Sequence, residues 1–331
     1  MLKTFEKPIF AAFIIIQSIL VLRTKYEYES KKCFYCSSSI TKKNGTKNGK
    51  QQYKCYGCGK NFLGGIRISK ETLWQEYCEG KQTYSQLSSK YQYNIKTIQR
   101  KLDAVQVCKI PAAPRSVIVL MDTTYWGRDF GVMLFKDAIS KENLLKYYVK
   151  QETNALYVQG IDELKVKGFT IVAIVCDGRK GLIQSFPNIP VQMCQFHQAA
   201  IIRRYLTKKP KLQAAKELME VVDLMKKTDK ESFVGALDLW FQKWEKFLNE
   251  RSVNAVSKKS FYTHKKLRSA YRSLKTNQPW LFTWYNHFEL NIPNTTNAID
   301  GHFADLKTKL RNHNGLSIKR KKKFIDGFLK V

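Results

Sequence analysis

Residues 169–178 read Phe-Thr-Ile-Val-Ala-Ile-Val-Cys-Asp-Gly, an almost continuous apolar run that ends at Asp177. A run of this kind is typical of a strand that is buried on both faces, as in a parallel sheet covered by helices. A second run, Ser116–Met121, is β-branched and apolar and ends at Asp122 in the same way. Ligands collect at the carboxyl ends of strands in α/β sheets, so both acids are candidate site residues.

The segments around these two runs alternate between strand and helix patterns. Apolar runs predict three further strands, at Phe130–Phe135, Leu144–Val149 and Val191–Met193. Amphipathic patterns predict helices at Thr153–Lys167, Gly181–Phe186 and Gln195–Leu206, and a longer helical region from Lys211 to about Trp284. This order indicates an α/β fold built around an open sheet.

A carboxylate that follows buried apolar residues is costly unless it is paired or bound to metal. If Asp122 and Asp177 lie side by side, their oxygens offer a site for Mg²⁺. Two such metals can support an in-line displacement at phosphorus, and that geometry needs a third carboxylate. Asp300 is a candidate, because residues 292–315 are typical of a capped helix with Asp300 in its first turns. Alternatively, Asp300 only complements the helix dipole.

Cys194 and His197 form a C-x-x-H motif directly after the last predicted strand. By itself this motif is weak evidence. It is consistent with half of a metal site, with a structural hydrogen bond, or with a core cysteine beside an ordinary histidine.

Two C-x-x-C pairs near the N-terminus, Cys33/Cys36 and Cys55/Cys58, predict a zinc ribbon with Zn²⁺ held by four sulfurs. Buried cysteine pairs or two disulfides are the alternatives. The other four cysteines show no disulfide framework, so an oxidising compartment is not indicated. They are Cys78, Cys108, Cys176 and Cys194.

Residues 69–103 predict a helix, a turn, a short helix, a second turn and a basic helix capped by Asn94, which is the order of a helix-turn-helix domain. An ordinary small helical bundle is the alternative. The candidate DNA contacts on the last helix are Lys96, Thr97, Gln99 and Arg100.

The chain of 331 residues carries 58 Lys and Arg against 27 acids, for a net charge of +31. This excess favours a polyanion, above all a nucleic acid, although it also serves solubility. The basic run Lys319–Lys323 is consistent with either a phosphate contact or a solvated face. The apolar segment 9–22 is short for a membrane span and has no cleavage site after it. We interpret it as a non-functional or misassigned extension, with a membrane anchor and a packing helix as alternatives.

Taken together, the motifs resemble those of prokaryotic insertion-sequence transposases of the Mutator-like superfamily. The resemblance rests on Asp-Thr-Thr from Asp122, Cys-Asp-Gly at Asp177, the C-x-x-H motif, and Thr-Thr-Asn-x-Ile-Asp ending at Asp300. It implies an α/β fold with a ribonuclease H-like mixed sheet and an all-helical insertion, preceded by a zinc ribbon and a helix-turn-helix domain. The implied divisions are an apolar extension (1–29), the ribbon (30–65), the helix-turn-helix domain (66–110), the catalytic domain (111–206 and 291–331) and the insertion (207–290).

The resemblance also implies a catalytic site in which Asp122, Asp177 and Asp300 bind Mg²⁺ or Mn²⁺. The family usually has Glu at the third position, so Asp300 departs from the pattern, and Glu289 is the second choice. Cys194 and His197 match the family's C-x-x-H signature. Lys307 and Arg311, on the helix of Asp300, are the first candidates to contact phosphate.

The implied activity is that of a DNA transposase. Such an enzyme binds terminal inverted repeats, frees a 3′-hydroxyl by hydrolysis and transfers it to target DNA. Two DNA ends must be handled together, so we expect a homodimer on double-stranded DNA, located at the nucleoid in the cytoplasm, with no membrane and no small-molecule substrate. A non-catalytic DNA-binding regulator derived from a decayed transposase is the main alternative, and a stand-alone nuclease is a weaker one.

Overall fold

The computed structural model describes residues 32–47, 49–64 and 68–331, which form two compact units. The first unit holds the described residues up to Gln106 together with Arg311–Phe324. The second holds Val107–Leu310 and Ile325–Val331. The finer division into domains stays a prediction.

The apolar segment 9–22 lies outside the described residues, so its interpretation also stays a prediction. Within the described ranges, no helix combines the length and the apolar character that crossing a bilayer requires.

The first unit begins with a small antiparallel sheet. Its strands follow the order of the chain: β1 (Thr41–Lys47), β2 (Lys50–Cys55) and β3 (Asn61–Leu63). Phe62 is buried and stacks on Tyr53, with ring centroids 5.6 Å apart. Because so few apolar side chains are buried here, the sheet needs a further source of stability, as very small domains generally do.

Three short helices follow in the helix-turn-helix order that the sequence predicts. They are α1 (Lys70–Cys78), α2 (Tyr84–Tyr91) and α3 (Ile95–Asp103). Side-chain caps define where the last two begin: Thr83 and Gln86 form a capping box at α2, and Asn94 Oδ1 accepts a hydrogen bond from Lys96 N at α3. Each helix buries one apolar face, formed by Leu73 and Tyr77, by Leu87 and Tyr91, and by Ile98 and Leu102.

The basic run Lys319–Lys323 contacts the end of α3 within this unit. Arg320 forms a two-point ion pair with Asp103, with N–O distances of 3.0 and 2.7 Å. Lys323 Nζ donates to the carbonyl oxygens of Leu102 and Asp103, at 2.9 and 2.6 Å. Cations at the last carbonyls stabilise a helix C-terminus. These two residues therefore hold α3 in place, a role that neither of the two sequence interpretations included.

A five-stranded sheet forms the centre of the second unit. Its strands are β4 (Ser116–Trp126), β5 (Phe130–Asp137), β6 (Asn143–Val149), β7 (Thr170–Cys176) and β8 (Val191–Met193). The spatial order is β6-β5-β4-β7-β8. Strand β5 is antiparallel to β4 and β6, whereas β7 runs parallel to β4 and β8 runs parallel to β7. This is the ribonuclease H-like mixed sheet that the resemblance implied.

Side-chain alternation along the two central strands decides which residues meet. One small core on the sheet contains Ile118 and Leu120 of β4 together with Ala173 and Val175 of β7. Since every second residue of a strand points to the same face, Asp122 and Asp177 continue this set. Ile292, which precedes the last two helices, packs on the same core. The fold therefore directs both acids to the face that the C-terminal part of this unit covers.

Helices complete both units. They are α4 (Asn154–Val166), α5 (Gln195–Leu206), α6 (Gln213–Leu224), α7 (Lys230–Asn249), α8 (Lys265–Leu281), α9 (Thr283–Asn286), α10 (Asn297–Arg311) and α11 (Ile318–Leu329). Two 3₁₀ turns lie at Ile183–Ser185 and Phe288–Leu290. The predicted helices at 153–167 and 195–206 agree with α4 and α5 to within one residue at each end.

The insertion between α5 and α10 is helical except for one hairpin, which the sequence did not predict. Strands β9 (Arg251–Val253) and β10 (Ser260–Tyr262) pair antiparallel between α7 and α8. Asn254 Oδ1 accepts hydrogen bonds from Val256 N at 2.9 Å and Ser257 N at 2.8 Å. Such local bonds compete with helical ones, which explains why the chain turns here.

Gly160 of α4 provides a test of the packing between helix and sheet. A Cβ atom at this position would lie 2.1 Å from Phe135 Cζ, and Phe135 is fully buried. We expect Gly160→Ala to lower the free energy of unfolding by about 1–3 kcal/mol through overpacking.

Gly235 of α7 is the matched control, because a Cβ there would meet no atom within 4 Å. Gly235→Ala should raise the free energy of unfolding by roughly 0.5–1 kcal/mol. Urea unfolding followed by circular dichroism measures both. Equal midpoints for the two variants would contradict the described packing.

Candidate functional site

Four cysteines of the first unit meet at one point. The Sγ atoms of Cys33, Cys36, Cys55 and Cys58 lie within 4.8 Å of one another, and two of the distances, Cys33–Cys58 and Cys36–Cys55, are 3.5 Å. Zn–S bonds of about 2.3 Å in a tetrahedron place the sulfurs about 3.8 Å apart. All four are free thiols, which excludes the disulfide alternative. The donor atoms and their spacing therefore fit a structural zinc ion.

The surroundings of Cys55 favour its thiolate form. Burial acts to raise the pKa of Cys55, but the N–H groups of Cys58 and Gly57 and the neighbouring thiols outweigh it and lower this pKa to about 6. In addition, Tyr35 N donates to Cys33 Sγ at 3.4 Å.

The surroundings of Cys36 do not favour its thiolate form. The backbone N–H of Ser38 acts to lower the pKa of Cys36, but the neighbouring thiols and burial outweigh it and raise this pKa to about 12. Because the thiolate is the form that binds metal, Cys55 is ready to bind zinc, and zinc binding would displace the protons of the other thiols.

A second group of possible metal ligands lies in the second unit. Ligand atoms of Asp122, His197 and Asp300 lie within 4.8 Å of one another. They come from β4, from the first turn of α5 and from the first turn of α10. The structure thus brings two of the three predicted acids together with the histidine of the C-x-x-H motif.

Asp122 lies inside a strand, not at a strand end as the sequence indicated. Strand β4 continues to Trp126 because β5 pairs with it over that length, with Asp122 opposite Leu134. The parallel pairing with β7, however, ends at Leu120 opposite Val175. Asp122 therefore still marks the carboxyl edge of the parallel part of the sheet, two residues beyond its last pair.

Thr296 links the C-x-x-H motif to Asp300. It is fully buried and directly precedes α10. Its N and Oγ1 atoms each lie 3.3 Å from Cys194 Sγ, and Oγ1 lies 3.0 Å from Asp300 Oδ2. These contacts fix the start of α10 against the start of α5. They explain how Asp300 comes to lie beside His197.

The acids and the histidine shift one another's ionisation. Burial raises the pKa of Asp122 to about 7; His197 opposes this shift, and Asp300 and Asp177 add to it. The side chain of Cys194 raises the pKa of His197 to about 9, burial opposes this shift, and both aspartates of the group add to it. The Nδ1 atom of His197 is buried and makes no hydrogen bond to any described residue. The two partly buried carboxylates and the imidazole form a donor set that fits a divalent cation once His197 has lost its proton.

Asp177 lies near this group but is not part of it. It directly follows β7, and its Oδ1 accepts a hydrogen bond from Arg179 N at 3.2 Å. It is close enough to raise the pKa of Asp122, but its oxygens are not among the atoms that lie within 4.8 Å of one another. Its assignment as a magnesium ligand stays a prediction.

Glu152 is a further acid in this region that the sequence did not single out. Burial raises the pKa of its carboxyl group. Its Oε1 accepts a hydrogen bond from Tyr157 at 2.5 Å, and Arg179 approaches its Oε2 to 3.5 Å. Tyr157 in turn lies 2.9 Å from the hydroxyl of Thr123, the residue after Asp122. Glu152 lies three residues after the end of β6, and Asp177 directly follows β7. Its position after a strand is the one sequence feature that indicates Glu152 as a candidate.

The candidate DNA contacts lie on α3 and α10. On α3, Lys96 and Arg100 are exposed and Thr97 and Gln99 are partly buried. On α10, Arg311 is exposed and Lys307 is partly buried, with its Nζ 5.9 Å from the centroid of the Trp126 ring.

Glu289, the second choice for the third acid, lies in the 3₁₀ turn before α10. Its Oε1 is 3.5 Å from His287 Nδ1, and both side chains are largely exposed. It does not belong to the group around Asp122. The geometry therefore favours Asp300 over Glu289.

Residues 140–300 match the family described as "Transposase, Mutator family". This region contains Asp177, the C-x-x-H motif and Asp300. No curated protein matches the chain.

The chain is also similar to solved structures of an integrase and a transposase. The HTLV-2 integrase catalytic core domain in complex with magnesium (trimeric form) is 14% identical, with a TM-score of 0.20, over 46% of this chain and 95% of that one. The Drosophila P element transposase strand transfer complex is 13% identical, with a TM-score of 0.31, over 79% of this chain and 72% of that one.

The zinc assignment can be tested with two matched cysteine variants. We expect Cys55→Ser to lose bound zinc and unfold the ribbon, because structural zinc sites of this kind supply much of the folding free energy. Cys108→Ser, which changes an exposed thiol outside the cluster, should keep one zinc per chain. Atomic emission on the purified proteins gives the zinc content, and equal zinc in both variants would contradict the assignment.

Proposed function

We propose, from the match of residues 140–300 to the family described as "Transposase, Mutator family", that this chain cuts DNA at the ends of a mobile element and joins the freed 3′ end to target DNA, in a metal-dependent reaction. The observation that carries this proposal is the meeting of Asp122, His197 and Asp300, whose ligand atoms lie within 4.8 Å of one another although the residues are far apart in the sequence.

The proposed metal site uses these residues and extends to Asp177. Asp122 and Asp300 would each provide carboxylate oxygens to Mg²⁺ or Mn²⁺. Such an ion supplies an activated water and neutralises charge on the phosphate that is attacked. Imidazole is a poorer ligand for Mg²⁺ than for later transition metals, so His197 would serve Mn²⁺ better.

The surrounding residues keep the acids in place. Thr296 holds Asp300 through its hydroxyl, and Cys194 holds Thr296. Tyr157 bonds both Glu152 and Thr123, and so fixes the strand immediately after Asp122. With the carboxylates positioned in advance, little reorganisation is needed when phosphate arrives.

Binding to the DNA ends is assigned to the first unit. The exposed face of α3 would enter the major groove, with Lys96, Thr97, Gln99 and Arg100 as contacts, and the zinc ribbon would bind beside it. Lys307 and Arg311 would contact phosphates near the cut. Two ends must be processed together, so the active form would be a homodimer on double-stranded DNA.

The direct test is strand cleavage of DNA carrying the element's end, with Mg²⁺ or Mn²⁺ added. Asp122→Asn, Asp177→Asn and Asp300→Asn should each lower the cleavage rate on the order of 10²-fold or more while leaving DNA binding intact, as loss of a preorganised charged group does in other enzymes. Chelation with EDTA should abolish cleavage, and added metal should restore it.

Asp305→Asn is the matched control, because Asp305 lies on the same helix as Asp300, outside the group, and pairs with Lys309 at 3.1 Å. It should cleave normally. If Asp300→Asn cleaves normally and Glu289→Gln does not, the third acid is misassigned. A wild-type protein that binds end DNA but never cuts it would support the non-catalytic regulator instead.

A further inference from the structure

The zinc ribbon is unusually basic. Residues 32–64 contain seven lysines and no acid. Five of these lysines lie on the hairpin formed by β1 and β2, and all five have exposed side chains. They are Lys42, Lys43, Lys47, Lys50 and Lys54.

The register of the hairpin places lysine opposite lysine twice. Lys42 pairs with Lys54, and Lys47 pairs with Lys50. Like charges directly opposite each other destabilise an antiparallel pair. The paired lysines do not stabilise the hairpin itself. Their arrangement therefore indicates an anionic partner that neutralises their charge.

A β-bulge brings all four of these lysines to one face. Lys42 and Lys47 are five residues apart, and in a regular strand an odd separation puts side chains on opposite faces. The register shifts between Lys43 and Thr46, where Gly45 has a φ of 71°. The extra residue of this bulge returns Lys47 to the face of Lys42.

We call Lys42, Lys47, Lys50 and Lys54 the four-lysine face. The opposite face of the hairpin carries Lys43 and Tyr53, and Tyr53 stacks on the buried Phe62 of the ribbon's own core. The two faces therefore differ. On one face Tyr53 packs into the core, and on the other the four lysines are exposed beside the partly buried Gln52.

The four-lysine face is continuous with the candidate DNA-binding helix. Lys50 Nζ lies 5.5 Å from the centroid of the Tyr93 ring, and Lys101 Nζ of α3 lies 5.4 Å from the same ring. Lys47, Gln52, Tyr93 and Lys101 line one open cleft within the first unit. The lysines of the ribbon and those of α3 thus form a single basic surface.

We propose that the four-lysine face binds the phosphate backbone of double-stranded DNA next to the groove that α3 enters. This inference rests on the proposed DNA-binding function. Lysine ammonium groups act as point charges toward phosphate and carry no sequence information, so the ribbon supplies affinity while α3 supplies specificity. The bulge at Gly45 places the four lysines on the same face of the hairpin.

The test is salt-dependent binding of a 40-base-pair duplex, measured by fluorescence anisotropy in the full-length Asp122→Asn protein. Anisotropy reports binding and not cleavage, and no Mg²⁺ or Mn²⁺ is added, so the result does not depend on whether Asp122 is catalytic. The variant carries Lys→Gln at all four positions of the four-lysine face. Its slope of log K against log salt should be smaller by roughly 3–4, at about 0.9 per lost phosphate contact. The loss should be the same for end DNA and for unrelated duplex.

Lys43→Gln is the control, since it removes one such charge from the other face of the same hairpin. Its slope should equal that of the Asp122→Asn parent. One zinc per chain and an unchanged or higher melting temperature would show that the fourfold variant is folded. The proposal is overturned if the fourfold variant keeps the parental slope, if the loss is confined to end DNA, or if only single-stranded DNA or RNA binding falls.

Discussion

The partial burial of the Asp122 carboxylate is the constraint on which the candidate site of the second unit depends. A carboxylate withdrawn from water needs a nearby positive charge or a metal ion. Neighbouring side chains supply that charge. His197 opposes the rise in the pKa of Asp122, and Cys194 raises the pKa of His197. Thr296 contacts both Cys194 and Asp300. Each contact joins a different part of the chain, so the site exists only when the strand and both helices are in place.

The elements that position the site were predictable because each has a strong local signal. The apolar, β-branched runs that form β4 and β7 are typical of strands buried in a sheet, and the helices α4 and α5 follow from their periodicity. Prediction was weaker where pairing with a neighbour overrides the local pattern. Strand β4 runs on past Asp122 because β5 extends it, and Asn254 interrupts the insertion with local hydrogen bonds.

Charge was harder to interpret than apolar pattern, because a lysine or arginine looks the same in sequence whatever it contacts. Arg320 and Lys323 hold the end of α3 instead of meeting phosphate or solvent alone. Lys42 and Lys47 share a face only because a bulge separates them. Both outcomes depend on register and on contacts between distant segments, neither of which composition contains.

By itself, the sequence determined the five strands of the central sheet, most of the helices, the four clustered cysteines and three candidate acids, since short spacing and apolar periodicity are local properties. Only the tertiary structure decided that His197 joins Asp122 and Asp300, that Asp177 lies just outside their group and that Glu152 lies near it. The physical reason is that a metal site is defined by distances of a few ångströms between side chains. Such distances depend on how the sheet and helices pack, and no single stretch of the chain encodes them.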